Sequence, residues 1–213
     1  MQEPSNPRQL QISWARCWPA LGAAGDGAAV MQRLLTAWAE PQRKYHTLQH
    51  LGECLSLFER YRTQAERPAE VEMALWFHDA VYDVQGKDNE ARSAAWAQAD
   101  LQAGGVAAPA VERIVGHIMA TCHAALPVGV DQQLLVDIDL SILGASRSRF
   151  IEYEEQVRAE YAWVPGFLFR RKRREILREF LARRPIYNTS PVREELEGQA
   201  RDNLACSIAA LGG

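Results

Sequence analysis

Five histidines stand in this chain, His46, His50, His78, His117 and His123, and the 90 residues after the last of them contain no other. Carboxylates accompany them: Asp79 follows His78 directly, and Asp137-Ile138-Asp139-Leu140 brings two more. Imidazole nitrogen and carboxylate oxygen together suit a divalent ion drawn from Mn, Fe, Co, Ni, Zn and Mg. Such a mixed set leaves room for water, and a metal-bound water is a nucleophile for hydrolysis. The cysteines, Cys17, Cys54, Cys122 and Cys206, form no CxxC pair, which argues against a closed zinc cluster and a disulfide framework and reads as buried thiols.

Spacing limits how these groups meet. If residues 46–50 are helical, His46 and His50 share a face, one free to bind metal while the other approaches substrate. His78 and Asp79, being adjacent, diverge around a helix, so an ion held by both sits against its side. His117 and His123 lie about 120° apart on a continuous helix and face one site only if that helix breaks near Thr121.

The elements that must position these residues read as helical almost throughout. Leu10, Trp14, Cys17, Trp18 and Leu21 recur at helical steps, as do Val30, Leu34, Leu35 and Trp38 before Pro41. Leu48, Leu51, Leu55 and Phe58 form a third stripe. Pro68 opens a fourth helix predicted to carry His78 and Asp79. After a break over residues 82–87, Asp88 is placed to cap a helix running to Gly104 and Gly105. Pro109 opens the next, residues 121–130 read as a loop, and Leu134, Leu135, Ile138 and Ile142 mark a helix ending at Gly144. Ser146 or Ser148 caps a helix towards Tyr161, a charged helix spans about residues 165–183, and Ser190 with Pro191 starts the last. No segment alternates with period two and no repeat or linker divides the chain. The expectation is an all-α fold in a single domain over residues 1–213, with a metal-site core at about 40–145 and helices 146–211 packed on it.

Composition excludes several classes. A chain of 213 residues with 47% hydrophobic and 24% charged content is globular, not disordered or fibrous. With 27 acidic against 24 basic side chains, its formal charge of −3 provides no general attraction for nucleic acid or an anionic membrane. No apolar run approaches a membrane span, and the first residues do not resemble a secretory signal, so a cytoplasmic location is expected.

The order His50, His78-Asp79, Asp139 resembles that of the HD superfamily of metal-dependent phosphohydrolases, whose defining ligands are a histidine, a His-Asp dipeptide and a later aspartate. YHTLQH at 45–50 is similar to the YHNxxH element of the related cyclic nucleotide phosphodiesterases, with Thr47 in place of asparagine, and Asp139-Leu140-Ser141 resembles their DLS. FHDAVYD, DNEARSA, DIDLSILG and ARDNL resemble a set of predicted HD-type hydrolases across most of the chain. The resemblance implies an HD/phosphodiesterase-like helical fold, one divalent ion on His50, His78, Asp79 and Asp139, and His46 as proton donor to the leaving group. It implies a phosphohydrolase of a small phosphorylated compound, a nucleotide or phosphomonoester, with Asp79 able to bridge to a second ion. Two rivals are a di-iron HD-fold oxygenase and a non-catalytic metal- or nucleotide-binding regulatory module.

The remaining candidates are secondary. His117, His123 and Glu90 are available to a second metal or to substrate phosphate. Asp83 and Asp88 lie in the same downstream acidic stretch, with capping expected of Asp88. Asp137 either orients a ligand histidine from behind or is a solvated residue on the opposite face, the latter being expected. The run Arg170-Arg171-Lys172-Arg173-Arg174 covers every face of a helix, so most of it is solvated or paired, and nucleic acid is not the expected partner. Exposed tryptophans would allow pairing of two chains through a helix face.

Overall fold

The computed structural model describes residues 7–123 and 125–212. They form ten α-helices and two short 3-10 segments, and among the described residues there is no strand. The all-α expectation holds. No helix among them is long and apolar enough to cross a membrane. The chain divides into two compact units, the first ending at Val136 and the second beginning at Asp137.

The first unit contains α1 (Pro7–Ala20), α2 (Ala28–Trp38), α3 (Leu48–Tyr61), α4 (Pro68–Phe77), α5 (Asn89–Ala103), α6 (Ala108–Ala120) and most of α7 (Gly129–Asp139). Its axis is α4, where all eight residues from Glu70 to Phe77 are buried, as a helix surrounded on every side requires. α1, α3, α5 and α6 all pack against it. Its two buried acids are paired: Glu70 accepts two bonds of 2.7 Å from Arg113, and Glu72 accepts from Ser13 at 2.6 Å and from Arg16. Trp14 stacks on Trp18 at 5.2 Å and meets Trp76 edge-on at 5.1 Å. Gly27, at φ 63°, passes beneath these rings, where a Cβ would come within 2.6 Å of Trp18.

Two helix ends differ from the sequence expectation in ways that shape the site. α3 starts at Leu48, with Thr47 as the cap that accepts from the Gln49 N–H, so His46 lies outside the helix. α4 stops at Phe77, so His78 is its cap residue and Asp79 lies in the turn beyond. Arg43 captures that turn by donating to the carbonyls of Asp79 at 2.6 Å and Ala80 at 2.8 Å, a cation satisfying acceptors at the negative end of a helix. At the start of α5 the Asp88 side chain makes no capping bond. The Asn89 amide instead binds the backbone N–H and carbonyl of Asp83, holding the preceding turn closed.

The second unit contains the 3-10 segment Leu140–Gly144, α8 (Arg147–Glu160), α9 (Gly166–Ala182) and α10 (Ser190–Ala210). Ser146 caps α8 by accepting from the Arg149 N–H. Asn203, from the ARDNL segment on α10, is buried and donates to the carbonyls of Leu143 and Ala145, closing the 3-10 segment's end. Gly144 is required there, because a Cβ would come within 2.7 Å of Leu196.

Candidate metal centre

His50, on the first turns of α3, and His78, at the end of α4, are 3% and 1% exposed. Their Nε2 atoms approach to 3.1 Å. The Asp79 carboxylate points at the same spot, with Oδ2 at 3.4 Å from His78 Nε2 and 3.8 Å from His50 Nε2. Two nitrogens bound to one ion at the usual bond length of about 2.1 Å stand roughly 3.0–3.4 Å apart, so the imidazole pair has the spacing of neighbouring ligands. Cys54, one turn beyond His50 on α3, places its sulfur 3.7 Å from His50 Nδ1. His50, Cys54 and His78 thus form a buried cluster whose donor atoms lie within 4.8 Å of one another and which could hold a metal ion.

The surroundings decide which nitrogens face the centre. His78 Nδ1 lies 2.8 Å from the Leu75 carbonyl, which can only accept, so Nδ1 carries the hydrogen, and whenever the ring is neutral its lone pair is on Nε2 and turned inward. His50 Nδ1 lies 3.0 Å from the buried Tyr45 hydroxyl. With that oxygen accepting from Nδ1–H, the Nε2 lone pair of His50 faces the centre. With the hydroxyl donating instead, His50 can share its Nε2 proton with His78, which allows the pair to persist without metal.

Arg43 joins the two histidine-bearing stretches. Besides the carbonyls of Asp79 and Ala80 it donates to the His46 carbonyl at 3.2 Å and to Glu40, and its guanidinium stands 5.5 Å from the ring centroids of both Trp38 and Tyr82. The His46 ring stacks on Tyr82 at 4.1 Å and lies 6.1 Å from His50, centroid to centroid. His46 thus approaches the centre from a loop, not from the face of α3. His78 and Asp79, expected to diverge, converge because Asp79 has left the helix.

His117 falls elsewhere. The charged groups that act on His117 are Asp131, Glu70, Arg113 and Arg67, gathered towards the N-terminal end of α4, whereas His78 closes the C-terminal end. Burial lowers its pKa, and neither ring nitrogen has a hydrogen-bond partner among the described residues. α6 ends at Ala120, which is the break that the spacing to His123 requires, and His123 follows at φ 53°, in the left-handed region. Glu90 faces Cys122, whose thiol is pushed up by burial and then by that carboxylate.

Asp139 is the last residue of α7 and is half-buried; the division between the units falls within this helix, after Val136. Asp137 corrects the expectation of a solvated carboxylate, for it is fully buried. It accepts from the backbone and side-chain nitrogens of Asn188 at 2.8 and 2.9 Å, and from the backbone and hydroxyl of Thr189 at 2.6 and 2.7 Å. Burial pushes its carboxyl up while these four donors oppose the shift. Its partners are the residues that lead into α10, not a histidine.

Three residues around the centre received no role from the sequence: Arg43, Tyr45 and Cys54. Cys54 alone carried a signal, standing four residues after His50 on the same helical face. No protein-family model, curated protein or solved structure matches the chain. The functional reading therefore stands on the motifs and the geometry of this centre.

Proposed function

We propose that the protein is a metal-dependent phosphohydrolase acting on a small phosphorylated compound, a nucleotide or phosphomonoester. The observation that carries the reading is the 3.1 Å convergence of two buried imidazole Nε2 atoms beside the Asp79 carboxylate. His50, His78 and Asp79 would hold the ion, with Asp139 as the further ligand that the motif order assigns and Cys54 as a sulfur close enough to join. A bound divalent ion supplies an acidified water and neutralises charge on a phosphoryl oxygen. The chain's own groups do the rest. Leu75 and Tyr45 fix the histidine rings, Arg43 holds the turn that presents Asp79, and His46, braced on Tyr82, protonates the departing oxygen when its ring is charged. The buried wall of Trp38 and Tyr45 limits water around the reacting phosphate.

The test combines elemental analysis of tag-free protein with hydrolysis of p-nitrophenyl phosphate and bis-p-nitrophenyl phosphate. About one equivalent of metal and activity lost together in His78→Ala and Asp79→Ala, both still folded by circular dichroism, is the expected result. Unchanged turnover in both variants overturns the reading, and two equivalents of iron with visible absorption replace it with oxygen chemistry.

A further inference from the structure

The second unit contains a cavity of about 630 Å³ lined from α8, α9 and α10, a size within the range of about 300–1,000 Å³ usual for small-molecule sites. Phe150, Ile151, Phe169 and Leu211 give it apolar walls. Ile151 is 47% exposed here, an aliphatic surface that the helices leave uncovered. Five charged side chains also line the cavity, and they are not equivalent. Arg158 is committed, donating to the carbonyls of Tyr161 at 2.6 Å and Val164 at 3.2 Å with its guanidinium 4.8 Å from the Phe169 ring. Glu154 is committed as well, bound by the buried Arg173 and by the Ser207 hydroxyl at 2.7 Å. Glu155 is exposed, as Arg147 and Arg170 are, so the uncommitted charges of the lining are two cations and one anion. Arg147, at the start of α8, and Arg170, on the first turns of α9, line the same cavity with no acid or carbonyl partner among the described residues.

An apolar cleft with two unused guanidinium groups is complementary to a molecule with a hydrocarbon or aromatic body and one anionic end. We propose that this cavity is a binding site for a small amphipathic anion, its carboxylate or phosphate received by Arg147 and Arg170 and its apolar body lying against Phe150, Ile151 and Phe169. The site is separate from the metal centre, none of whose candidate ligands line it. It accounts for part of the arginine run: Arg170 faces the ligand, Arg173 is used internally on Glu154, and Lys172 pairs with Glu175 at 3.4 Å.

Cys206 is an exposed thiol on the cavity lining and reports occupancy directly. The experiment measures its carbamidomethylation rate by peptide mass spectrometry in the full chain, with decanoate, decyl phosphate, decanol or decyltrimethylammonium present below micellar concentrations. Saturable protection of at least fivefold by one or both anions, with less than twofold by the alcohol and the cation, is the expected result, and the protecting anion identifies the head group. The Arg147→Gln/Arg170→Gln double variant, altered only at exposed side chains, is expected to lose that protection while keeping the wild-type circular dichroism spectrum. Absence of saturable protection by either anion, equal protection by decanol, or protection that survives in the double variant overturns the proposal.

Discussion

Replacing Arg43 tests whether one buried side chain holds the two histidine-bearing stretches together. Its side chain is 0% exposed, and its donors reach the carbonyls of Asp79, Ala80 and His46 together with the Glu40 carboxylate. Hydrogen bonds from a charged donor contribute about 1.5–3 kcal/mol each, and a buried carbonyl deprived of its donor costs about 1–3 kcal/mol. Counting only the two short bonds to Asp79 and Ala80, Arg43→Ala is expected to lose about 3–6 kcal/mol of stability. The Glu40 contact adds little, because that carboxylate is 42% exposed. Arg43→Lys keeps the charge but lacks the planar fork that reaches two carbonyls at once, so a loss of about 1.5–3 kcal/mol is expected. Urea unfolding of metal-depleted protein measures this without the linkage that bound metal would add. In the Lys variant, metal affinity is expected to fall at least tenfold because the Asp79 turn is no longer held. An Ala variant within 1 kcal/mol of wild type, or a Lys variant with wild-type metal affinity, would refute the clamp.

Three further outcomes follow from the same contacts. Tyr45→Phe keeps the buried ring but removes the hydroxyl that orients His50, so metal affinity should fall about 10–100-fold with little change in fold, checked by titration against a metal indicator. The two aspartates of α7 separate cleanly. Asp137→Asn loses acceptors for Thr189 and is expected to lower stability by about 2–4 kcal/mol by urea unfolding, whereas Asp139→Asn should lower bound metal and leave the midpoint of the metal-depleted protein near wild type. His117 gives a pH dependence whose sign is set by burial. Its folded pKa lies below the ordinary 6.5, so its contribution to stability is complete above that value and is lost as pH falls through the depressed folded value. Asp131, Glu70, Arg113 and Arg67 are the charges acting on it. Unfolding midpoints from pH 7.5 to 5 should fall more steeply in wild type than in His117→Gln, and parallel curves would remove His117 as the source.

Several of the segments that carry the resemblance build scaffolding around the His-Asp turn. Tyr82 of FHDAVYD braces His46, Asn89 of DNEARSA closes the Asp83 turn, and Ser93 receives the Val81 N–H at 3.0 Å. Asp137 of DIDLSILG and Asn203 of ARDNL tie backbone segments in the second unit. An aspartate or asparagine has the same type and place in the order whether it binds an ion or a backbone group, which is why spacing alone did not separate ligand from scaffold.

The amphipathic stripes, the prolines at helix starts and the Ser146 cap were sufficient to predict an all-α chain and nearly every helix within a few residues, because those signals act between residues within a turn or two. His50, His78 and Asp79 were legible as a candidate set through residue type and order. Their meeting was not, since His50 and His78 are 28 positions apart and approach to 3.1 Å only when α3 and α4 pack. The same holds for Arg43, whose guanidinium reaches carbonyls 36 and 37 positions away, and for Asp137, whose four donors come from 51 and 52 positions along the chain. Capping and periodicity are short-range and written in neighbouring residues. Desolvation and the convergence of polar atoms depend on what packs against them, and that was decided by the tertiary structure.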